Sequence, residues 1–226
     1  LNVGDGVQVE LLNTKENTRK AIEVDLVLIA TGRVPNFAQV NLPASGLNLD
    51  ENGLPIFSPA TLQCEPYPVF IAGDCADRTY LQHEAGDEGT FIGMNAVTLG
   101  SPKTFIPKVP LSIAFTEPNV CRVGVSATHI PQDSFVVGEA DFVEQGRAKT
   151  MIQQGGRIML YVDKSTSKII GSEMAAPRGE HLAHQIAGWI ANDMTVNDAL
   201  NLPFYHPSLE EGIKSALLDA KKKLKK

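Results

Sequence analysis

The sequence predicts an α+β protein, and three observations carry that expectation. Short apolar runs, alternating or continuous, recur along the chain and end at Gly, Pro or Asn, the pattern of strands. Two stretches near the C-terminus, 180–194 and 208–224, instead repeat apolar residues at helical spacing. Gly and Pro number 19 and 14 among 226 residues, which implies many turns.

In chain order, Val7, Val9 and Leu11 alternate with polar neighbours as a first strand, and the turn-like Asn13–Asn17 follows. A second strand carries Ile22 and Val24 and runs into Asp25–Ala30, whose continuous apolar character predicts burial on both faces. Thr31-Gly32 then reverses the chain. From Arg33 to Pro68 periodicity is poor and six prolines punctuate an irregular connection. Val69–Ala72 reads as a short buried strand closed by Gly73-Asp74. Leu81 to Leu99 reads as a helix with Ala85, Ile92, Ala96 and Leu99 on its apolar side, stopped by Gly100. Pro102, Pro107 and Pro110 mark a domain boundary. Strand signals follow at 111–115, 120–125, 135–142, 157–162 and 169–174. The two amphipathic helices close the chain: one with Leu182, Ile186, Trp189 and Ile190, the other with Leu209, Ile213, Ala216, Leu217, Ala220 and Leu224. A lysine-rich tail, 221–226, ends it as a solvated helix terminus.

Composition excludes several classes. The formal net charge is -6, which argues against a general nucleic-acid binder. No run of about 18 apolar residues reads as a membrane-spanning helix. Cys64, Cys75 and Cys121 form no close pair in sequence; they read as structural residues in a reducing, cytoplasmic compartment. Leu1, in place of Met, suggests a fragment of a longer protein. Metal ligation has little to stand on: His181 and His184 with Glu180 are too few ligands.

Two places carry chemistry. An aspartate at the carboxyl end of a buried strand, Asp74 after Gly73, sits where α/β sheets bind ligands, and a following helix offers its N-terminal N–H groups. From these two residues alone, a turn with an Asx cap is the favoured reading. His206-Pro207-Ser208-Leu209-Glu210-Glu211 precedes an apolar helix. Ser208 and Glu211 have the spacing of a capping box. Alternatively, Glu211 bonds one imidazole nitrogen of His206, fixes its tautomer and leaves the other nitrogen free to act as a base.

The segment Ala30-Thr31-Gly32-Arg33-Val34-Pro35-Asn36, with Gly73-Asp74 about forty residues later, resembles the class I flavin-dependent pyridine nucleotide–disulfide oxidoreductases. Thr61 and Tyr80-Leu81-Gln82-His83-Glu84-Ala85 are similar to that family's approach to the flavin. Phe115-Thr116-Glu117-Pro118-Asn119-Val120, Gly146-Arg147-Ala148 after Gln145, Ile170-Gly171-Ser172-Glu173 and the His206–Glu211 segment are similar to its interface domain. Within the family the match looks nearest to the dihydrolipoamide dehydrogenase subgroup.

The resemblance implies an interface (dimerisation) domain with a mixed or antiparallel sheet packed by helices, preceded by partial strands of nucleotide-binding α/β domains. Residues 1–34 would be terminal strands of an NAD-binding domain, 35–104 the end of an FAD-binding and central region, and 105–226 the interface domain. It implies FAD and NAD as cofactors of the intact protein. Gly32, Gly73, Asp74, Tyr80, Leu81, Gln82 and His83 would line the cofactor side, and His206 and Glu211 would be catalytic. It further implies a homodimer and a dithiol substrate, which could be carried on lipoyl domains of a 2-oxo acid dehydrogenase complex. Glutathione, mercuric-ion and transhydrogenase chemistries share the architecture. The chain contains no Gly-x-Gly-x-x-Gly and no Cys-x-x-x-x-Cys, so it is expected to be inactive and to hold flavin poorly by itself. The alternative is a non-enzymatic dimerisation or assembly module.

Overall fold

The computed structural model describes residues 6–98 and 100–225; Leu1, Leu99 and Lys226, named above, lie outside them. Two compact units divide the chain, Leu1–Lys103 and Thr104–Lys226.

In the first unit, β1 (Val7–Asn13) and β2 (Thr18–Val24) form an antiparallel hairpin in the register Val7↔Val24 to Asn13↔Thr18. Its turn is held by the Asn13 side chain, whose Oδ1 accepts the N–H groups of Lys15 and Glu16, as asparagine does in Asx turns. The expectation of a strand buried on both faces at Asp25–Ala30 is overturned. These residues form no strand, and Leu26, Leu28 and Ile29 are 73%, 86% and 79% exposed. A doubly buried strand needs ladders at its edges and layers on both faces. Among the described residues, no strand pairs with this segment.

The strand expected at Val69–Ala72 shortens to β4 (Val69–Phe70), paired antiparallel with β3 (Gln63–Cys64), and Val69 is exposed rather than buried. The unit's small core gathers Cys64, Ile71 and Ala76 with Phe37, Leu47, Phe57 and Cys75. Helix α1 (Gln82–Val97) forms as expected, but it buries Glu88, Phe91 and Asn95, not the face of Ala85, Ile92 and Ala96. The reason is hydrogen bonding. An irregular chain leaves backbone groups without ladder partners, and buried ones must be paired. The Glu88 carboxylate accepts the Gly73 N–H at 2.7 Å and pairs with Arg78 at 3.3 Å. Asn95 accepts the Lys103 N–H at 2.9 Å and donates to the Lys103 carbonyl at 3.1 Å.

The second unit is a five-stranded sheet, all antiparallel. Its strands are β5 (Leu111–Ala114), β6 (Asn119–Gly124), β7 (Phe135–Asp141), β8 (Arg157–Asp163) and β9 (Ile169–Ala176), in the spatial order β5-β6-β9-β8-β7. The alternation of side chains follows the strand period of two. Cys121 and Val123 of β6, Ile158, Leu160 and Val162 of β8, and Met174 and Ala176 of β9 enter one core. Helices α3 (Gly179–Ala191) and α5 (Glu210–Lys223) cover that face, α3 over β5, β6 and β9 and α5 over β7 and β8. They contribute Leu182, Ile186 and Trp189, and Ile213, Ala216, Leu217 and Ala220. Each large apolar side chain buried there is worth about 1.5–3 kcal/mol. The backbones of β7 and α5 approach closely at Gly138, where a Cβ would lie 2.2 Å from the Ala216 carbonyl oxygen.

Two short helices were not anticipated, α2 (Gly146–Thr150) and α4 (Val196–Leu200). Five residues are too few to show helical periodicity. Their caps were nonetheless written in the sequence: Thr195 and Asp198 form a complete capping box at α4. No helix among the described residues is long and apolar enough to cross a membrane.

Candidate active site

The first candidate group lies in the first unit, between the end of β4 and the start of α1. Gly73 adopts φ +70° and opens a short 3-10 turn, Gly73–Ala76, that presents Asp74. A Cβ at Gly73 would meet that of Ala85 at 3.0 Å, so only glycine lets this turn sit against α1. The buried Glu88 carboxylate anchors the turn through the Gly73 N–H. Arg33 then joins two distant segments. Its Nη1 pairs with Asp74 Oδ2 at 2.6 Å, its Nη2 donates to the Tyr80 carbonyl at 2.8 Å, and its guanidinium stacks 4.7 Å from the Tyr80 ring centroid. A planar fork that bonds and stacks at once is what arginine offers and lysine does not.

Asp74 Oδ1 has no partner among the described residues, so one carboxylate oxygen is committed and the other is available to accept. The Tyr80 hydroxyl donates to Asp77, and that bond raises the pKa of the phenol. Leu81 occupies the N-cap of α1 without a side-chain cap, leaving first-turn N–H groups at Gln82 and His83 for other acceptors. The side chains of Gln82 and His83 are exposed. Gly32 has φ +109° and open space around it. The connection to Asp74 is made by its neighbour Arg33, whose side chain sequence reasoning did not single out. The two partners are 41 positions apart, and no spacing rule links them.

The second candidate group lies in the second unit, at the entry to α5. The His206–Pro207 peptide is cis, and the His206 side chain is 80% exposed. The Glu211 carboxylate brackets one imidazole nitrogen: Nδ1 lies 3.0 Å from Oε1 and 3.1 Å from Oε2. The carboxylate only accepts, so Nδ1 carries the proton, and in the neutral form of such a ring Nε2 is the nitrogen that keeps its lone pair. Glu211 Oε2 also accepts the Ser208 N–H at 3.1 Å. These two bonds, the His206 one first, hold the Glu211 carboxyl below the ordinary glutamate range. Of the two readings, capping and orienting the histidine, the same carboxylate does both. The cap is half of a capping box, because the Ser208 hydroxyl oxygen is buried without a partner among the described residues.

Elsewhere the chemistry is structural. His184 Nδ1 contacts the Glu180 carbonyl at 2.7 Å, and His181 lies 3.6 Å from the Glu180 carboxylate. Among the described residues no group of three or more His, Cys, Asp or Glu is placed to hold a metal ion. Burial pushes the Cys121 thiol up to about 11, and burial with the neighbouring Cys75 raises Cys64, the opposite of what a thiolate nucleophile requires. The Cys75 thiol donates to the Ala72 carbonyl.

Comparison with known proteins agrees with this layout. Residues 2–89 match the family model described as pyridine nucleotide-disulphide oxidoreductase, and residues 110–217 match the dimerisation domain of the same family. The chain is 26% identical over 219 residues to the mitochondrial dihydrolipoyl dehydrogenase of Schizosaccharomyces pombe, covering 96% of this chain and 42% of that one. It is 28% identical over 197 residues to the mercuric reductase of Shigella flexneri, covering 86% of this chain and 34% of that one. Among solved structures, the flavoprotein disulfide reductase RclA from Escherichia coli superposes with a TM-score of 0.81 at 19% identity, over 94% of this chain and 47% of that one. LpdA from Mycobacterium tuberculosis does so with a TM-score of 0.76 at 23% identity, over 88% and 43%. At these identities the structures attest to the fold. The chain spans less than half the length of these relatives.

Proposed function

Because the chain belongs to the pyridine nucleotide–disulphide oxidoreductase family, we propose that it supplies the thiol base, one end of the flavin site and the dimer contact of an FAD-dependent enzyme. That enzyme would pass electrons between a dithiol and NAD. The observation that carries this reading is the Glu211 carboxylate on His206 Nδ1, with the ring exposed at 80%.

A dithiol reacts as its thiolate, and a free thiol has a pKa near 8.5. An imidazole with Nδ1–H held by a carboxylate presents Nε2 as the acceptor of that proton. Glu211, kept anionic by its two bonds, would stabilise the imidazolium that results. This is the division of labour of a base and its orienting carboxylate.

FAD, when bound, would relay the electron pair between the sulfur centre and the nicotinamide. The residues in place fit a polyhydroxyl chain and a polar ring edge. Asp74 Oδ1 is a free anionic acceptor, and the uncapped start of α1 at Leu81, Gln82 and His83 offers N–H donors. The pyrophosphate cradle and the redox cysteine pair have no counterpart in these 226 residues, so the reading concerns the chain joined to a region that provides them.

Likeness to dihydrolipoyl dehydrogenases favours a dihydrolipoyl group as the dithiol, with lipoyl-bearing subunits of a 2-oxo acid dehydrogenase complex as partners and a homodimer as the working form. A second reading, a dimerisation module without redox chemistry, is favoured by the lack of Gly-x-Gly-x-x-Gly and Cys-x-x-x-x-Cys in the chain.

The test is His206→Ala in the FAD-loaded protein. Turnover with the dithiol is expected to fall by roughly 10²–10⁴-fold, the usual contribution of a positioned base. Hydride exchange between nicotinamide and flavin should survive, since it needs no thiol base. Equal loss of both activities would remove the catalytic assignment, and failure to take up FAD even when the chain is joined to a region with the pyrophosphate cradle and the cysteine pair would favour the second reading.

A further inference from the structure

The loop that carries His206 has an unusual support. Gln145 stands at the N-cap of α2, where its Oε1 accepts the Ala148 N–H at 2.7 Å. The other end of the same amide reaches across 63 positions of sequence: Nε2 donates to the Ser208 carbonyl at 2.5 Å. The orientation of the amide is forced, because a backbone N–H can only donate and a carbonyl can only accept.

Ser208 is thus held from both sides. Its N–H is taken by Glu211 and its carbonyl by Gln145, and Glu211 in turn holds His206 Nδ1. Its own hydroxyl oxygen is buried and adds nothing to this frame. The imidazole itself is exposed, and Glu211 is its only hydrogen-bond partner among the described residues. Its placement therefore depends on how well the backbone between Pro207 and Glu211 is fixed. From outside the His206–Glu211 segment, among the described residues, the Ser215 hydroxyl bonds the Glu211 carbonyl from within α5, and Gln145 supplies the one side-chain bond that comes from another element.

We propose that Gln145 is a positioning residue for His206, tying the start of α2 to the Ser208 carbonyl and so holding the His206–Glu211 pair in register. This rests on the reading of His206 as the thiol base. It assigns Gln145 two separable duties, a helix cap and a loop tie, and the side-chain length decides between them. Asparagine is among the best N-cap residues but is one methylene shorter. It can keep the Ala148 bond and cannot also span to Ser208.

The experiment compares Gln145→Asn and Gln145→Leu with the parent 226-residue chain, reading melting temperature and the imidazole nitrogens of His206 by 15N NMR. The parent should show His206 as the Nδ1–H tautomer. Gln145→Asn should melt within a few degrees of the parent, yet shift the His206 tautomer ratio toward Nε2–H by roughly 2–10-fold, the worth of one net hydrogen bond. Gln145→Leu should show the same shift and a lower melting temperature. If Gln145→Asn keeps the parent's tautomer ratio, Gln145 is a cap and the proposal is overturned; this holds even if Gln145→Leu fails to fold.

A second arm, dithiol turnover of Gln145→Asn in the FAD-loaded protein, separates the two claims. Lost turnover with a shifted tautomer supports both. A shifted tautomer in Gln145→Asn with turnover of His206→Ala unchanged from the parent supports Gln145 as the tie and overturns His206 as the base.

Discussion

Single side chains carry two jobs each in both candidate groups. Glu211 caps a helix and orients an imidazole; Arg33 pairs with a carboxylate, bonds a carbonyl and stacks on a ring. The pH consequence for Glu211 follows from its lowered pKa. A carboxylate whose folded pKa lies below its unfolded value of about 4.3 contributes stability that is complete above that value and is lost as pH falls through the folded one. Glu211→Gln should therefore melt lower than the parent at neutral pH, and the two curves should begin to converge as pH falls below about 4.3. Parallel curves across pH 3–7 in a differential scan would sink this account. Arg33→Met tests the other group. Its exposed ion pair contributes little to folding, about 0–1 kcal/mol. The melting temperature should hardly move, while FAD retention by the loaded protein, followed by equilibrium dialysis, weakens about tenfold as Asp74 and Tyr80 lose their common partner. Unchanged retention would mean that Asp74 orients itself.

At the scale of elements, the second unit is governed by close approach and by turns. Gly138→Ala places a methyl 2.2 Å from the Ala216 carbonyl oxygen, and neither backbone can yield without lifting α5 from β7. The cost should be about 1–3 kcal/mol, seen as a lower urea midpoint at unchanged slope. The β8–β9 hairpin turns on Asp163, whose Oδ1 accepts from the backbone and hydroxyl groups of Ser165 and Thr166. Those bonds hold its carboxyl at about 2. By the same sign rule, its contribution is complete above the unfolded value of about 3.9 and is lost as pH falls through about 2. Asp163→Asn should destabilise the protein at pH 7, with the penalty shrinking as pH falls from about 3.9 toward about 2. A penalty that persists at low pH would assign the effect to the amide's geometry instead.

For the whole molecule, the two units differ in how much core each owns. The second buries a continuous set of apolar side chains packed from five strands and four helices, while among the described residues the first buries a shorter set, Leu42, Leu62, Cys64, Ile71, Ala76 and Phe91. Trp189, the only tryptophan, belongs to the larger core. Urea unfolding should therefore be biphasic, with far-UV ellipticity beginning to fall before Trp189 fluorescence responds. Coincident transitions would show instead that the units melt as one. The match of residues 110–217 to a dimerisation domain makes a homodimer the expected working form. A stable one would bury on the order of 2,000 Å² or more, and light scattering at micromolar concentration should return twice the chain mass.

Much of this was legible in the residues themselves. The five strands and the last helix of the second unit lie within one or two residues of where alternation and helical spacing put them, and α3 ends three residues early at Ala191, because each has one face on a core within the same unit. The Glu211 contact to His206 was legible as well, since the partners are five positions apart and share a helix entry. The first unit was harder to read. Asp25–Ala30 has the composition of a buried strand, yet composition records only what a segment could bury, and pairing partners decide whether it does. The inward face of α1 was misjudged because the loops around it needed hydrogen bonds more than apolar contact, which turned Glu88 and Asn95 inward. The sequence by itself determined the strands and long helices of the second unit, their periodicity and the local pair at His206. Only the tertiary structure decided which distant groups meet: Arg33 with Asp74 across 41 positions, and Gln145 with Ser208 across 63. Local contacts follow from backbone geometry, whereas contacts across such spans depend on how the chain closes upon itself, which no local pattern records.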